Sequence, residues 1–136
     1  MKEGAEGEWL DADGHGETAL VYRLQAQVID FTLVCRQADH SLLVAGASGA
    51  PAEAGDLAKL KIGASEVEAP IIDAPELAGP GAIAVRLPIN PIVITALANA
   101  NQVRLSYKDG SAETGVDAHG KIRAFAQTCS QLTNPG

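Results

Sequence analysis

Apolar and polar residues alternate with a period of two over three successive segments of the chain. These segments span residues 18–24, 28–36 and 41–46, and they read TALVYRL, VIDFTLVCR and SLLVAG. In a β-strand, alternate side chains point to opposite faces, so Phe31 and Cys35 are expected to share one face. The pattern therefore predicts three antiparallel strands in a meander, forming a sheet with one buried side.

Five further segments continue the strand pattern. LAKLKIG (57–63) and SEVEAPI (65–71) alternate apolar with charged residues, which predicts a hairpin whose lysines face glutamates across the exposed side. The segments AIAVRLP (82–88) and NQVRLSYK (101–108) are also expected to be strands. The dipeptide Asp-Gly that follows is a strong hairpin signal, and it returns the chain through SAETGV.

Two segments are candidates for helices. Asn90 followed by Pro91 is typical of a helix start, whereas the β-branched run after it favours a strand, and we expect a short helix over 90–99. Near the C-terminus the apolar pattern changes to a helical period, which predicts a helix over about 118–132 with Asp117 as its cap. Its buried stripe contains Ala118, Ile122, Phe125, Cys129 and Leu132.

The first 17 residues differ from the rest of the chain in composition. Residues 1–17 are rich in glycine and acidic residues, and we expect a flexible acidic arm. Asp11, Asp13 and Glu17 are spaced like the start of a calcium loop, but Tyr22 stands where such a loop needs a glutamate. A solvated acidic turn is the preferred interpretation, and whether these three residues bind a cation stays open.

Length and charge limit the functions that the chain can have. With 136 residues, the chain has the usual size of one domain, and residues 18–136 are expected to form a single β-rich domain. Seventeen acidic and ten basic residues give a net charge of -7, which repels nucleic-acid phosphates. No apolar run approaches the ~20 residues that span a bilayer. We therefore expect neither nucleic-acid binding nor membrane insertion.

The chain has two cysteines, Cys35 and Cys129, and both fall at apolar positions. A metal site would need paired ligands at short spacing, so we expect a disulfide, which is typical of exported domains. This predicts a periplasmic or secreted protein, whereas free cysteines would indicate the cytoplasm. No apolar signal-peptide segment follows Met1, so the protein is expected to be either cytoplasmic or the mature part of an exported one.

The sequence satisfies no enzyme template. His15, His40 and His119 lie far apart and lack the short spacing of zinc ligands. No phosphate-binding glycine loop and no dinucleotide fingerprint is present. Glu66 and Glu68 share a strand face, but the lysines opposite explain them as cross-strand partners. We therefore expect no catalytic residue, no cofactor and no metal.

Two segments resemble a known group of proteins. FTLVC at residues 31–35, followed by the SLLVAG strand, and the terminal pattern Phe125-Ala-Gln-Thr-Cys129 are similar to small exported bacterial domains in the neighbourhood of invasion-associated locus B-like proteins. The resemblance implies a disulfide-closed β domain in the cell envelope. It implies no catalytic residues.

Together these observations predict a mainly β fold, an antiparallel sandwich or half-open barrel closed by a C-terminal α-helix. We expect a non-enzymatic domain that binds another protein, as an inhibitor or envelope accessory protein, through the acidic arm and the loops at 47–56 and 70–81. One alternative is a hydrolase with a dispersed site near His40 or His119. Another is a small-ligand carrier with an apolar pocket between helix and sheet, lined by Tyr22, Phe31, Tyr107 and Phe125.

Overall fold

The strands that the sequence predicts are present in the computed structural model of the protein. It describes residues 8–14, 16–23, 31–46, 53, 55–72, 82–108, 110–114, 117 and 120–133. Within these residues the chain forms nine strands and two helices. They are β1 (Glu8–Gly14), β2 (Glu17–Arg23), β3 (Phe31–Arg36), β4 (Ser41–Gly46), β5 (Leu57–Ile62), β6 (Ser65–Ile72), β7 (Ile83–Pro88), α1 (Pro91–Ala98), β8 (Val103–Tyr107), β9 (Gly110–Glu113) and α2 (Lys121–Thr133).

The described strands belong to one antiparallel sheet with the order β1-β2-β3-β4-β7-β6-β5-β8-β9. Strands β2, β3 and β4 form the predicted meander, and β1 extends it at the edge. Beyond β4 the order departs from the order in the sequence. The sheet is not closed into a barrel, because β1 and β9 lie at its two ends. The predicted mainly β class with a C-terminal helix is confirmed.

Strand β6 connects the two halves of the sheet. Its residues 65–70 pair with β5, while Ile71 and Ile72 pair with β7. The backbone of Ile71 also exchanges hydrogen bonds with Gly55 and Asp56, at 2.9 and 2.8 Å. Residues 70–72 therefore belong to β6. This agrees with the strand predicted over 65–71, and the surface loop predicted over 70–81 is wrong for these three residues. Residues 73–81 lie outside the described part of the chain.

The sheet bends so that β4 and β9 approach each other without pairing. A Cβ atom placed on Gly46 would lie 2.8 Å from the Cβ of Ala112 and 3.2 Å from the ring of Phe31. Any side chain larger than hydrogen would therefore push the two strands apart. Glycine at the end of β4 permits the curvature that encloses the core.

One hydrophobic core joins both halves of the sheet. Leu20 and Val44 contribute to it from one half, and Leu60 and Leu105 from the other. Helix α2 packs on β2 and β3. Its buried side chains are Ile122, Phe125, Ala126 and Cys129, which lie in the same core.

A disulfide connects Cys35 of β3 to Cys129 of α2, as the sequence predicts. The Cα atoms are 5.7 Å apart and the two residues are separated by 94 positions. Both cysteines have a relative exposure of 0%. The bond therefore lies inside the core and fastens the C-terminal helix to a central strand.

The central strands are buried on both faces, which corrects the prediction of a sheet with only one buried side. Every residue of β4 is buried, and so are the first five residues of β3. Thr32 and Val34 are 8% and 6% exposed, although they lie opposite the face of Phe31. The continuous apolar run of Leu42 to Ala45 is typical of a strand covered on both sides.

The predicted acidic arm is wrong for residues 8–14, which form edge strand β1. Trp9 lies opposite Tyr22 in the register, and their ring centroids are 4.8 Å apart. Asp11 forms an ion pair with Lys121 of α2 at 3.5 Å. Aromatic contact and the backbone ladder with β2 hold this segment in the sheet despite its glycines and acids. Residues 1–7 lie outside the described part of the chain.

The β5–β6 hairpin has the predicted register. Lys59 lies opposite Glu68 and Lys61 lies opposite Glu66. All four side chains are exposed, so the apolar side chains of β5 alternate with them and enter the core. The hairpin predicted from the Asp-Gly dipeptide is also confirmed, because β8 pairs with β9 and Tyr107 lies opposite Gly110.

Both predicted helices are present. Asn90 caps α1, and its side chain accepts a hydrogen bond from the Val93 amide at 2.9 Å. Helix α2 begins at Lys121 and not at residue 118, because Gly120 has a φ of 72°, which a helix does not allow. Asp117 still supplies a cap, since its carboxylate accepts from the Ile122 amide at 2.6 Å. Neither described helix is long and apolar enough to cross a membrane.

We predict that the disulfide contributes strongly to stability. Replacing both Cys35 and Cys129 by alanine should lower the free energy of unfolding by about 2–5 kcal/mol, because the bond closes a long loop of the unfolded chain. Urea unfolding followed by circular dichroism measures this difference. Thiol titration of the wild-type protein in denaturant should find no free sulfhydryl, and two reactive thiols would contradict the bond.

The cap of α2 provides a second stability prediction. Asp117→Ala should cost about 1–2 kcal/mol of unfolding free energy, because the Ile122 amide loses its acceptor. Asp117→Asn keeps an acceptor oxygen and should cost less than the alanine variant. Equal losses in the two variants, measured by urea unfolding, would mean that the hydrogen bond is not what stabilises the helix start.

Candidate functional site

The structure gives His40 no catalytic partner among the described residues. His40 lies in the exposed turn before β4, and its backbone carbonyl accepts a hydrogen bond from the Ile89 amide at 2.8 Å. The neighbouring acid and hydroxyl bond each other, since Ser41 Oγ donates to Asp39 Oδ1 at 2.5 Å. Within the described part of the chain, the imidazole forms no hydrogen bond with a hydroxyl or carboxylate. His15 and His119 lie outside the described residues.

The hydrogen bond beside His40 has an electrostatic effect. The Ser41 hydroxyl, bonded to the Asp39 carboxylate, holds the pKa of that group below its ordinary value of 3.8, and nearby Arg36 and Arg86 add to this effect. Asp39 is therefore ionised at neutral pH and is suited to hold the turn. It is not suited to donate a proton at that pH.

The four aromatic residues predicted to line a pocket are buried in the core. Tyr22, Phe31, Tyr107 and Phe125 are between 1% and 5% exposed, and they belong to one hydrophobic cluster. Three depressions in the surface of the described residues are lined by other side chains. The four rings are therefore packed in the core, at the place where an apolar carrier would need an open cavity.

Tyr107 makes polar contacts at the margin of the core, where the Lys108 ammonium lies 5.3 Å from the centroid of its ring. Its hydroxyl donates a hydrogen bond to the Asp56 carboxylate. This bond, with burial as a lesser cause, raises the pKa of the Tyr107 phenol above its ordinary value of 10.0. Because Asp56 precedes β5 and Tyr107 ends β8, the bond joins two neighbouring strands of the sheet.

The acidic residues near the N-terminus form ion pairs with other elements. Asp11 pairs with Lys121, and Glu17 accepts a hydrogen bond from Arg36 Nε at 2.9 Å. The side chain of Asp13 lies outside the described part of the chain. Among the described residues, no group of three His, Cys, Asp or Glu side chains is placed to hold a metal ion.

The surface of α1 is the most unusual feature outside the core. The chain has no charged residue between Arg86 and Arg104, although a fifth of all its residues are charged. Val93 and Leu97 bury the inner side of α1, yet Ile92 on its outer side is 75% exposed. A helix that is apolar on all sides is normally covered by other parts of a protein.

Two shallow depressions flank the exposed side of α1. One, of about 450 Å³, lies between α1 and the β5–β6 turn and includes Ile62 and Ile92 in its lining. The other, of about 380 Å³, lies towards α2 and includes His40 and Ile94. Pro91 and Thr95 line both. Of the described residues that line them, none is an aspartate, glutamate, lysine or arginine.

We call this region the α1 surface: exposed Pro91, Ile92 and Thr95 with the two flanking depressions. It is held in place from within, because Leu97 is completely buried and Asn90 caps the helix. The sequence contained a signal for it, the uncharged stretch after Arg86, but a hydrophobic pattern alone does not distinguish an exposed apolar helix from a buried one. Of the loop at 47–56 that was predicted as a contact surface, residues 47–52 and 54 lie outside the described part of the chain, and Gly55 and Asp56 hydrogen-bond to the backbone of Ile71.

The fold and this surface define a disulfide-containing, half-open antiparallel β domain that displays an uncharged helix. No protein-family model, curated protein or solved structure matches the chain. The resemblance to invasion-associated locus B-like domains therefore stays a prediction.

The Tyr107–Asp56 bond predicts a pH dependence of stability. A phenol whose pKa is raised by folding stabilises the protein fully below pH 10.0, and this stabilisation is lost as the pH rises through the folded pKa. Tyr107→Phe should therefore be less stable than the wild type at neutral pH, and the difference should shrink above pH 10.0.

The measurement is urea unfolding at a series of alkaline pH values. Asp56→Asn is a suitable companion variant, because it removes the carboxylate and leaves the phenol in place. It should bring the titration of Tyr107, followed by ultraviolet difference absorbance, closer to the ordinary value. A difference between wild type and Tyr107→Phe that stays constant with pH would show that folding does not raise the pKa of the Tyr107 phenol.

Proposed function

We propose that this chain is a non-enzymatic, periplasmic or secreted domain that binds another protein through the α1 surface. The observation that carries the proposal is the exposure of Ile92 on a helix without charged residues. Exposed single apolar residues are common on proteins and need no explanation. Here the exposed isoleucine belongs to a continuous uncharged surface with two depressions.

The free energy of burial favours such a contact. Covering an isoleucine side chain completely is worth about 1.5–3 kcal/mol relative to leaving it in water. The centres of protein interfaces are depleted in charged residues, because a charge removed from water needs a partner. The described residues of the α1 surface include no charged side chain, so this surface needs no change of conformation to form the centre of an interface.

The rigidity of α1 also supports binding. The helix is capped at both ends by asparagines: Asn90 accepts from Val93, and the Asn99 side chain donates to the Thr95 carbonyl at 2.9 Å. Val93 and Leu97 fix its inner side in the core. A surface that is already ordered loses little conformational entropy when a partner binds.

The proposed location is supported by the disulfide. Structural disulfides persist in oxidising compartments such as the periplasm and the extracellular space. The Cys35–Cys129 bond is completely buried and connects a central strand with the last helix. This is the arrangement of a structural bond and not of an exposed redox site.

The two alternatives have less support. An apolar carrier would need a cavity near rings that are packed in the core. A hydrolase site around His40 would need a hydroxyl or carboxylate bonded to the imidazole. The partner that fits the α1 surface is a protein with an apolar patch poor in charge.

We predict that Ile92→Glu weakens partner binding. The wild-type protein, immobilised, should retain a partner from envelope extract, and that partner is then purified and titrated by calorimetry. A charge at the centre of the interface should weaken binding at least about tenfold, because the carboxylate would be buried without a partner. Since Ile92 is exposed, the variant should unfold at nearly the same urea concentration as the wild type.

Leu57→Glu is the matched control. Leu57 is the other large exposed hydrophobic residue of the described chain, at 57% exposure, and it lies at the start of β5 outside the α1 surface. This variant should bind the partner like the wild type. Equal loss of binding in both variants, or retention in Ile92→Glu, would reject the α1 surface as the contact.

A further inference from the structure

The largest of the three depressions lies beside the α1 surface and has the opposite character. It has a volume of about 620 Å³ and is lined by the β5–β6 turn, the segment between α1 and β8, and the start of α2. Its lining contains three cationic side chains, Lys61, Arg104 and Arg123, and two acidic ones, Glu113 and Asp117. Its volume is in the range of small-molecule sites.

Two of these cations are direct neighbours in the sheet. Lys61 of β5 and Arg104 of β8 are opposite each other in the register, and both are exposed. Like charges at such positions destabilise a sheet. The same row continues outwards to Glu66 on one side and Glu113 on the other, so two cations lie between two acids.

The two carboxylates that line the cleft, Glu113 and Asp117, neutralise the three cations only in part. Glu113 lies 3.8 Å from Arg104, and both side chains are more than half exposed, where such a pair contributes little. Lys61 forms no ion pair with a described carboxylate within 4 Å. The carboxylate of Asp117 accepts a hydrogen bond from the Ile122 amide.

Arg123 adds a cation from the opposite wall. Its Nε donates to the Ala98 carbonyl at 3.2 Å, which fixes the side chain and leaves the Nη hydrogens of the guanidinium for another acceptor. Neutral amide side chains also line the cleft, those of Asn99, Asn101 and Gln102. The N–H groups of guanidinium and amide side chains can donate hydrogen bonds to the oxygens of an anion.

We infer that this cleft binds a small anion that carries a carboxylate or a phosphate group. The chain as a whole has a net charge of -7, so it repels anions in general. Three cations against two acids leave this concave region with one excess positive charge in an otherwise acidic protein, and this charge attracts an anion. An anion between Lys61 and Arg104 removes their mutual repulsion, and binding should therefore also stabilise the fold.

The inference does not depend on the proposed protein binding. The α1 surface meets the cleft at Ala64 and Asn99, which line both, but the cations belong to the cleft alone. Ile92→Glu should leave anion binding unchanged. Loss of the protein partner and loss of the anion are thus separate results.

The test is a two-dimensional NMR titration with sodium citrate and, separately, with sodium phosphate, at an ionic strength held constant with sodium chloride. Saturable shifts are expected at backbone amides of the cleft, such as Gly63, Asn101 and Gly120. Saturation with citrate alone assigns a carboxylate ligand, and saturation with phosphate alone assigns a phosphate ligand. Saturation with both assigns a general oxyanion site.

The double variant Lys61→Gln/Arg123→Gln should raise the apparent Kd at least about tenfold. Lys59→Gln is the matched control, because Lys59 lies on the same face of β5, one row along, and does not line the cleft. It should bind within about twofold of the wild type. Absence of saturable shifts with both salts, or equal affinities in the double variant and the wild type, would overturn the inference.

Discussion

The structure depends on the contact of α2 with β2 and β3, which the Cys35–Cys129 disulfide makes permanent. The helix covers the inner face of the meander, and its buried side chains, among them Ile122 and Phe125, complete the core. Because the bond joins residues 94 positions apart, strands β4 to β9 and helix α1 lie within one covalent loop, and β1 and β2 lie outside it. In the chain-entropy model such a loop is worth about 4.5 kcal/mol.

A core closed in this way leaves the outer surface as the place for function. The curved sheet and α2 bury the aromatic rings, and Gly46 permits β4 and β9 to approach across the bend. What remains for recognition lies at one end of the domain, where α1, the β5–β6 turn and the start of α2 meet. There an uncharged helix and a cationic cleft lie side by side. One is suited to apolar contact and the other to a small anion.

Local patterns in the sequence correctly predicted the features that depend on residues close together in the chain. Alternation set the faces of β5 and β6 and therefore the Lys–Glu register, and Asn90 with Pro91 correctly indicated the start of α1. Composition failed for residues 8–14, because glycine and acidic content does not report the backbone ladder and the Trp9–Tyr22 contact that hold β1. It also failed for the face of β3 opposite Phe31, whose polar Thr32 concealed its burial.

The sequence by itself determined which segments are strands or helices apart from β1, which side chains of β5 and β6 face inwards, and that two cysteines fall on inward positions. Only the tertiary structure decided that β4 pairs with β7 and β5 with β8. It also decided that α1 stays at the surface, and that Lys61, Arg104 and Arg123 line one cleft. The physical reason is that the face of a strand or helix on which a side chain lies depends on its near neighbours in the chain. The choice of strand partners depends on how the whole chain closes its core.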